Sequence, residues 1–306
     1  MNHPSFDSAR GAMTGVVLAA LVVAACGASG GAASSSTGGG SSAGSASPIA
    51  EAPSTTPAPP ASAAPSPTPA PVASPDRNPT AVHDGVDYRP VIDPAEFSTT
   101  IDNPYLPLVP GTAYVYEGDG ERIEYTVTGA TRDVMGVTTV VVHDRAFEAG
   151  ALIEDTQDWF AQDRAGNVWY FGEDTSTCKD GKVEGHHGAW EAGVDGAMPG
   201  IVMLAQPVVG DLYRQEFYAG EAEDQARVLE VGSTLKGTDR TYDDILMTAD
   251  FTPLEPDKLE HKLYARGVGI VEERTIKGGS GIVRIVSEGR DPAALDPAAT
   301  FDPCRE

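Results

Sequence analysis

The sequence predicts a mainly β protein: an antiparallel meander forming a curved sheet, half-barrel or sandwich, with at most one or two short helices. Three observations predict it. Apolar and polar residues alternate with period two along many short runs. These runs recur at intervals of about 8–14 residues, with Gly- and Asp-rich turns between them. No stretch sustains an amphipathic helix over three turns.

The elements follow in order. "TAYVYEG" and "ERIEYTVTG" flank the turn "GDGE" and read as a hairpin. In its second arm Ile123, Tyr125 and Val127 face one way, and Glu124, Thr126 and Thr128 the other. "VTTVVVHDRAF", "ALIEDTQDWFAQD" and "NVWYFGED" are the next strands. Alternation sets Trp159 and Gln157 opposite Asp158 and Phe160, and Trp169 and Phe171 opposite Val168 and Tyr170. "DLYRQEFYA", "ARVLEVGS", "YDDILMTADF", "LEHKLYAR", "GIVEERTIK" and "GIVRIVSE" complete the set. "GEAEDQAR", residues 220–227, is the best candidate for a short helix. Such alternation gives each sheet one solvated face.

The first 82 residues read differently. Between residues 27 and 80 only six residues are not Gly, Ala, Ser, Thr or Pro. Such a segment has too little apolar surface to offset the entropy of ordering, so a Gly/Ser coil followed by a Pro/Ala polyproline stretch is expected. Before it, residues 11–25 form an apolar run of signal-peptide length, ending in Val23-Ala24-Ala25-Cys26. This ending resembles a bacterial lipobox. The resemblance implies diacylglycerol transfer to Cys26, cleavage after Ala25, and acylated anchoring on the extracytoplasmic side of the cell membrane. The expected organisation is a lipoprotein signal peptide at 1–25, a lipidated cysteine and tether at 26–82, and one β-rich domain at 83–306.

Charge narrows the partners. The chain has 45 acidic and 21 basic residues, a formal net charge of −24. Three acids and two bases lie before residue 83, which leaves 42 acids and 19 bases in the domain. That field repels phosphate backbones, so nucleic acid is excluded as a partner, while small-molecule, lipid or basic ligands are admitted. Cys178 and Cys304 are the cysteines outside the lipobox. In an exported domain they favour a disulfide that pins the C-terminal tail; two isolated thiols are the alternative.

Five stretches, "DNPYLPLVPG", "EDTQDWFAQDRAGNVWYFGED", "GAWEAGVDGAMPGIVM", "YRQEFYAGEAED" and "EHKLYARGVGIVEE", together resemble an uncharacterised family of exported proteins and lipoproteins, mostly from actinobacteria. The resemblance covers residues 97–288 and implies no activity. "YARGVGIVEE" separately resembles the closing hairpin of some LolA-like sheet lipoproteins, which implies an open curved sheet able to accommodate a ligand.

Candidate chemistry is sparse. "DRAGNVWYFGED" places Asp163, Asn167 and Asp174 at calcium-loop spacing but lacks the central Gly, and reads as a hairpin with "RAGN" at its turn. His186 and His187, with Glu184 and Glu191 nearby, are weak candidates for a divalent metal. A site there needs distant ligands such as His143 or His261, and a polar surface loop is the competing reading. No cofactor is expected, and no phosphate-binding loop or nucleophilic cysteine is present. The ligand-binding candidates are Trp159, Trp169, Trp190, Glu191, Asp195, Arg214 and Glu216. Aromatic groups with a few fixed polar partners suit a small or amphipathic ligand. Arg214 and Glu216, two apart on a strand, are expected on one side. The function expected is a non-catalytic binding module. Its alternatives are a metal-dependent or carboxylate-based envelope hydrolase, using carboxylates near Trp159, Trp190 and Glu191, and a purely structural envelope protein.

Overall fold

The computed structural model describes Thr80, residues 88–296 and residues 301–305. The lipobox, Cys26 and the rest of the tether lie outside the described residues. The described chain is an antiparallel β structure with two short 3-10 turns, Pro94–Glu96 and Pro292–Leu295. The strands are β1 (Phe97–Ser98), β2 (Thr112–Gly118), β3 (Glu121–Val134), β4 (Val137–Glu148), β5 (Ala151–Asp163), β6 (Val168–Lys179), β7 (Lys182–Gly185) and β8 (Trp190–Glu191). They continue as β9 (Met198–Met203), β10 (Leu212–Arg214), β11 (Glu216–Phe217), β12 (Gln225–Lys236), β13 (Thr241–Phe251), β14 (Leu259–Ala265), β15 (Gly269–Lys277) and β16 (Gly281–Arg290).

Two meanders make the sheet. One runs from β2 to β6 and the other from β12 to β16, and β16 pairs with β2 to join them. β10 forms one edge, on β12, and β11 the other, on β9. Only Gln215 separates β10 from β11 in sequence, so the two edges meet there and the sheet nearly closes into a barrel. Near closure removes most of the exposed strand edge.

Gly200 permits the seam. A Cβ there would lie 2.3 Å from the Gln215 carbonyl carbon, backbone that cannot move aside. Gly200→Ala should therefore destabilise the fold by about 2–3 kcal/mol, lowering the unfolding midpoint by about 5–10 °C. Thermal melts followed by circular dichroism check this; an unchanged midpoint would refute the tight seam.

The inner face carries the core. Ile123, Val127 and Val142 are fully buried, as are Tyr170 and Leu246, and Tyr116, Phe160 and Ile285 nearly so. Inner positions on neighbouring strands stack across the ladder, as in the row Val127, Val142, Asp158, Glu173 and Trp190. Burying apolar groups of this size yields about 1.5–3 kcal/mol each. A smaller cluster outside the barrel holds Leu152, Cys178, Cys304 and Phe147.

One expectation is corrected, and one strand is added. Residues 220–227 are not helical: a turn and a Tyr218–Ala222 bridge precede Gln225, where β12 begins. Gly220 takes φ +80° and the segment has no apolar stripe, so pairing with β10 and β13 captures Gln225–Arg227. Met198–Met203, which no alternation marks, is a strand with Ile201 and Met203 buried. The "RAGN" stretch is the turn joining β5 to β6, closed by the Gly166 N–H donating to the Asp163 carbonyl at 2.9 Å.

Candidate functional site

The three tryptophans do not share one face. Trp169 and Phe171 point outward, each edge-on to the Phe97 ring, and the Trp169 indole donates to Asp163 Oδ2 at 2.8 Å. Trp159 also faces outward, with the Arg132 guanidinium 4.1 Å from its ring centroid. Trp190 turns inward against Tyr170, ring centroids 5.4 Å apart. All three are buried, at 3%, 3% and 5% exposure, so none offers an open ring face. Alternation correctly separates Trp169 from Tyr170 and Trp159 from Asp158. It fails at Gly172, where φ is +124° and a bulge shifts the β5–β6 register, turning Glu173 inward. A Cβ at Gly172 would lie 2.3 Å from the Trp190 carbonyl oxygen, so the bulge and β8 need glycine there.

Glu191 pairs with Arg132 at 2.6 Å on the outer side, away from the inward-turned Trp190. Asp195 is an exposed turn residue at φ +50°. His186 and His187 are both exposed. The His186 Nδ1–H donates to the Thr175 carbonyl at 2.9 Å. His143 lies on β4 and His261 on β14, and among the described residues no group of three or more His, Cys, Asp or Glu side chains is placed to hold a metal ion.

Arg214 and Glu216 are not on one side. The chain crosses from one sheet edge to the other at Gln215, which breaks their parity. Arg214 lies outside, 4.9 Å from the Phe217 ring centroid and 5.6 Å from that of Tyr88. Glu216 lies fully buried inside, with Glu173 and Tyr170.

The interior is acidic. Asp158 accepts from the Tyr170 hydroxyl at 2.8 Å, and Glu173 stands opposite Asp158 across the β5–β6 ladder. Burial pushes Asp158 up to about 7, and Glu173 and Glu216 well above the usual carboxylate range. The Trp190 N–H offsets the Glu216 shift in part without reaching full hydrogen-bond geometry. Farther along, Lys262 lies 3.8 Å from Asp250 and 3.9 Å from Glu273. Burial opposes the lysine charge, but Glu273, Asp250, Glu260 and Asp224 outweigh it and hold the ammonium protonated. Burial pushes Asp224 up to about 8 despite Lys262. One lysine cannot neutralise this array, and burial raises Glu260 and Glu273 as well as Asp224.

An open groove lies on the outer face of β3, β4 and β5, between that face and the C-terminal segment. Its volume is about 540 Å³, within the range of small-molecule sites. Thr126, His143 and Gln157, consecutive partners across the ladder, form its floor, flanked by Val141 and Arg145. The turn Pro292–Leu295 supplies Ala293 and Ala294 to the opposite wall, and Phe301 sets its ring edge-on to His143 at 5.3 Å. His143 Nε2 and Asp155 Oδ1 are 2.6 Å apart, and Asp155 Oδ2 accepts from the Cys304 N–H at 2.8 Å. Cys304 is bonded to Cys178, with Cα atoms 5.4 Å apart, and Arg145 donates to the Arg305 carbonyl at 2.8 Å. The wall is therefore tied to the sheet covalently and by two polar contacts.

Sequence reasoning missed this groove. It named His143 only as a distant metal ligand, and Thr126, Gln157, Arg145 and Phe301 not as site residues. The signals were present: alternation turns Thr126 and Gln157 outward, and a Cys178–Cys304 bond brings the tail to β6. Another hollow, of about 480 Å³, lies beside Trp169, Phe97 and Arg164.

No protein-family model matches the chain, and no curated protein matches it. Two solved structures resemble it. One, from Bacteroides fragilis, is assigned as an exported protein with a YmcC-like fold; it has TM-score 0.38 and 11% identity, over 61% of this chain and 99% of that one. The other, from Parabacteroides distasonis, is assigned as a lipoprotein; it has TM-score 0.34 and 10% identity, over 60% and 98%.

Proposed function

We propose that the chain is a lipid-anchored, extracytoplasmic, non-catalytic binding module, of the actinobacterial lipoprotein kind its sequence resembles, and that the groove beneath its C-terminal segment seats a small amphipathic ligand. The observation that carries this reading is the groove itself: a hollow of ligand size whose lining mixes apolar Val141, Ala293, Ala294 and Phe301 with fixed polar groups. The disulfide across its wall suits an oxidising compartment. The lipobox and tether supply the address.

Two experiments address this reading. Cys26→Ala should leave an unprocessed precursor without diacylglycerol, read by mass spectrometry of the membrane fraction; unchanged acylation would sink the anchor assignment. Native mass spectrometry of the full chain should show a small molecule retained by the parent and lost in Ala294→Trp, whose indole fills the groove. Equal retention by both would place the ligand elsewhere.

A further inference from the structure

The groove's charges are unbalanced, and this constrains its occupant. Resting on the groove being the ligand seat, we propose that it takes an organic cation: an ammonium or amidinium head on a short apolar body. Five carboxylates line it, against two guanidinium groups and one imidazole; a third guanidinium, Arg122, pairs with Glu124 from outside the lining at 2.9 Å, which still leaves more negative than positive charge. Both guanidinium groups of the lining are already committed. Arg305 pairs with Asp302 at 2.8 Å, and Arg145 is shared between Glu124, at 3.4 Å, and the Arg305 carbonyl. An anionic ligand would have to displace a carboxylate from one of them. A cation meets the surplus negative charge directly, within a chain of net charge −24 whose field concentrates cations in a cleft. The apolar body is accommodated by Val141 and Ala294, and Phe301 adds a ring attractive to a cationic head.

The test uses three probes of equal chain length: hexyltrimethylammonium, hexanesulfonate and hexyl glucoside. Each is titrated calorimetrically into the full chain held in zwitterionic nanodiscs, with empty nanodiscs as control. The cation should bind at least about tenfold tighter than either other probe, a margin that like-charge repulsion and desolvation readily supply. Its binding should be lost in Ala294→Trp. Asp302→Asn, an exposed change that releases Arg305, should weaken the cation several-fold and leave the glucoside unchanged. If the sulfonate or glucoside binds as well as the cation, the charge selectivity is wrong while the seat stands. If no probe binds, or if binding survives Ala294→Trp, both the selectivity and the seat are overturned.

Discussion

Raising the pH from 5 to 8 should destabilise the folded domain, by several kcal/mol and about 10 °C in unfolding midpoint. The cause is the buried carboxyl array. Asp158, pushed up to about 7 by burial, faces Tyr170 and Glu154. Asp224, pushed up to about 8, faces Lys262, Thr252, Asp250 and Glu260. In the unfolded chain both aspartates lose their protons near their ordinary value of about 3.9. Between that value and 7–8 the folded state therefore holds protons that the unfolded state has released. Stability then falls as pH rises, by up to about 1.4 kcal/mol per pH unit for each group. An ordinary salt-bridged carboxylate has the opposite effect, adding stability as pH rises through its depressed value. The expected profile already declines at pH 5 and continues to decline through neutrality. Asp158→Asn combined with Asp224→Asn should flatten the decline and leave the variant more stable than the parent at pH 8. A parent profile rising between pH 5 and 8, or a variant profile as steep as the parent's, would show that these carboxyls are ionised in the fold.

Removing the Cys178–Cys304 bond should cost about 4 kcal/mol and about 10 °C. The bond closes a separation of 126 residues, and loops of this length lose most in the cross-linked unfolded chain. Cys304 is fully buried and its N–H is held by Asp155, so the native geometry accepts the bond with its neighbours in place. Because Cys178 is also buried, the Cys178→Ser, Cys304→Ser double variant is the cleaner test than added reductant. Calorimetry should show the loss, and hydrogen exchange should show faster exchange at residues 301–305 than in the parent. A midpoint unchanged to within about 2 °C would mean that the tail is secured without the bond.

The fold class was legible because alternation is a local signal, plain in strands such as β2 and the first half of β3. Ile123, Tyr125 and Val127 point inward as their spacing requires, and the turn at residues 118–121 joins β2 to β3. The site was largely illegible because three features break or transcend local parity. The bulge at Gly172 turns Glu173 inward, and a period-two count across it assigns the wrong face. The crossing at Gln215 sends Arg214 outside and Glu216 inside, although they are two residues apart. The groove combines β3, β4 and β5 with a tail more than a hundred residues later, and no local pattern marks such a junction. Tryptophan clustering in sequence misled for a related reason. Trp159, Trp169 and Trp190 belong to adjacent strands, but packing needs on the two sides of the sheet divide them. The buried carboxyls are likewise invisible in a chain with 45 acidic residues, since burial rather than composition distinguishes Glu216 from an exposed glutamate.

If the groove beneath the C-terminal segment is the ligand seat, its own methyl groups must sense the occupant. Methyl-resolved NMR during titration with hexyltrimethylammonium tests it most directly. The methyl groups of Val141, Ala293 and Ala294 should shift in a saturable manner, with those of Leu246 and Ile201 in the core unmoved. Shifts confined to Ala165 and Val91, beside the Trp169 hollow, or no saturable shift in the groove, would contradict it.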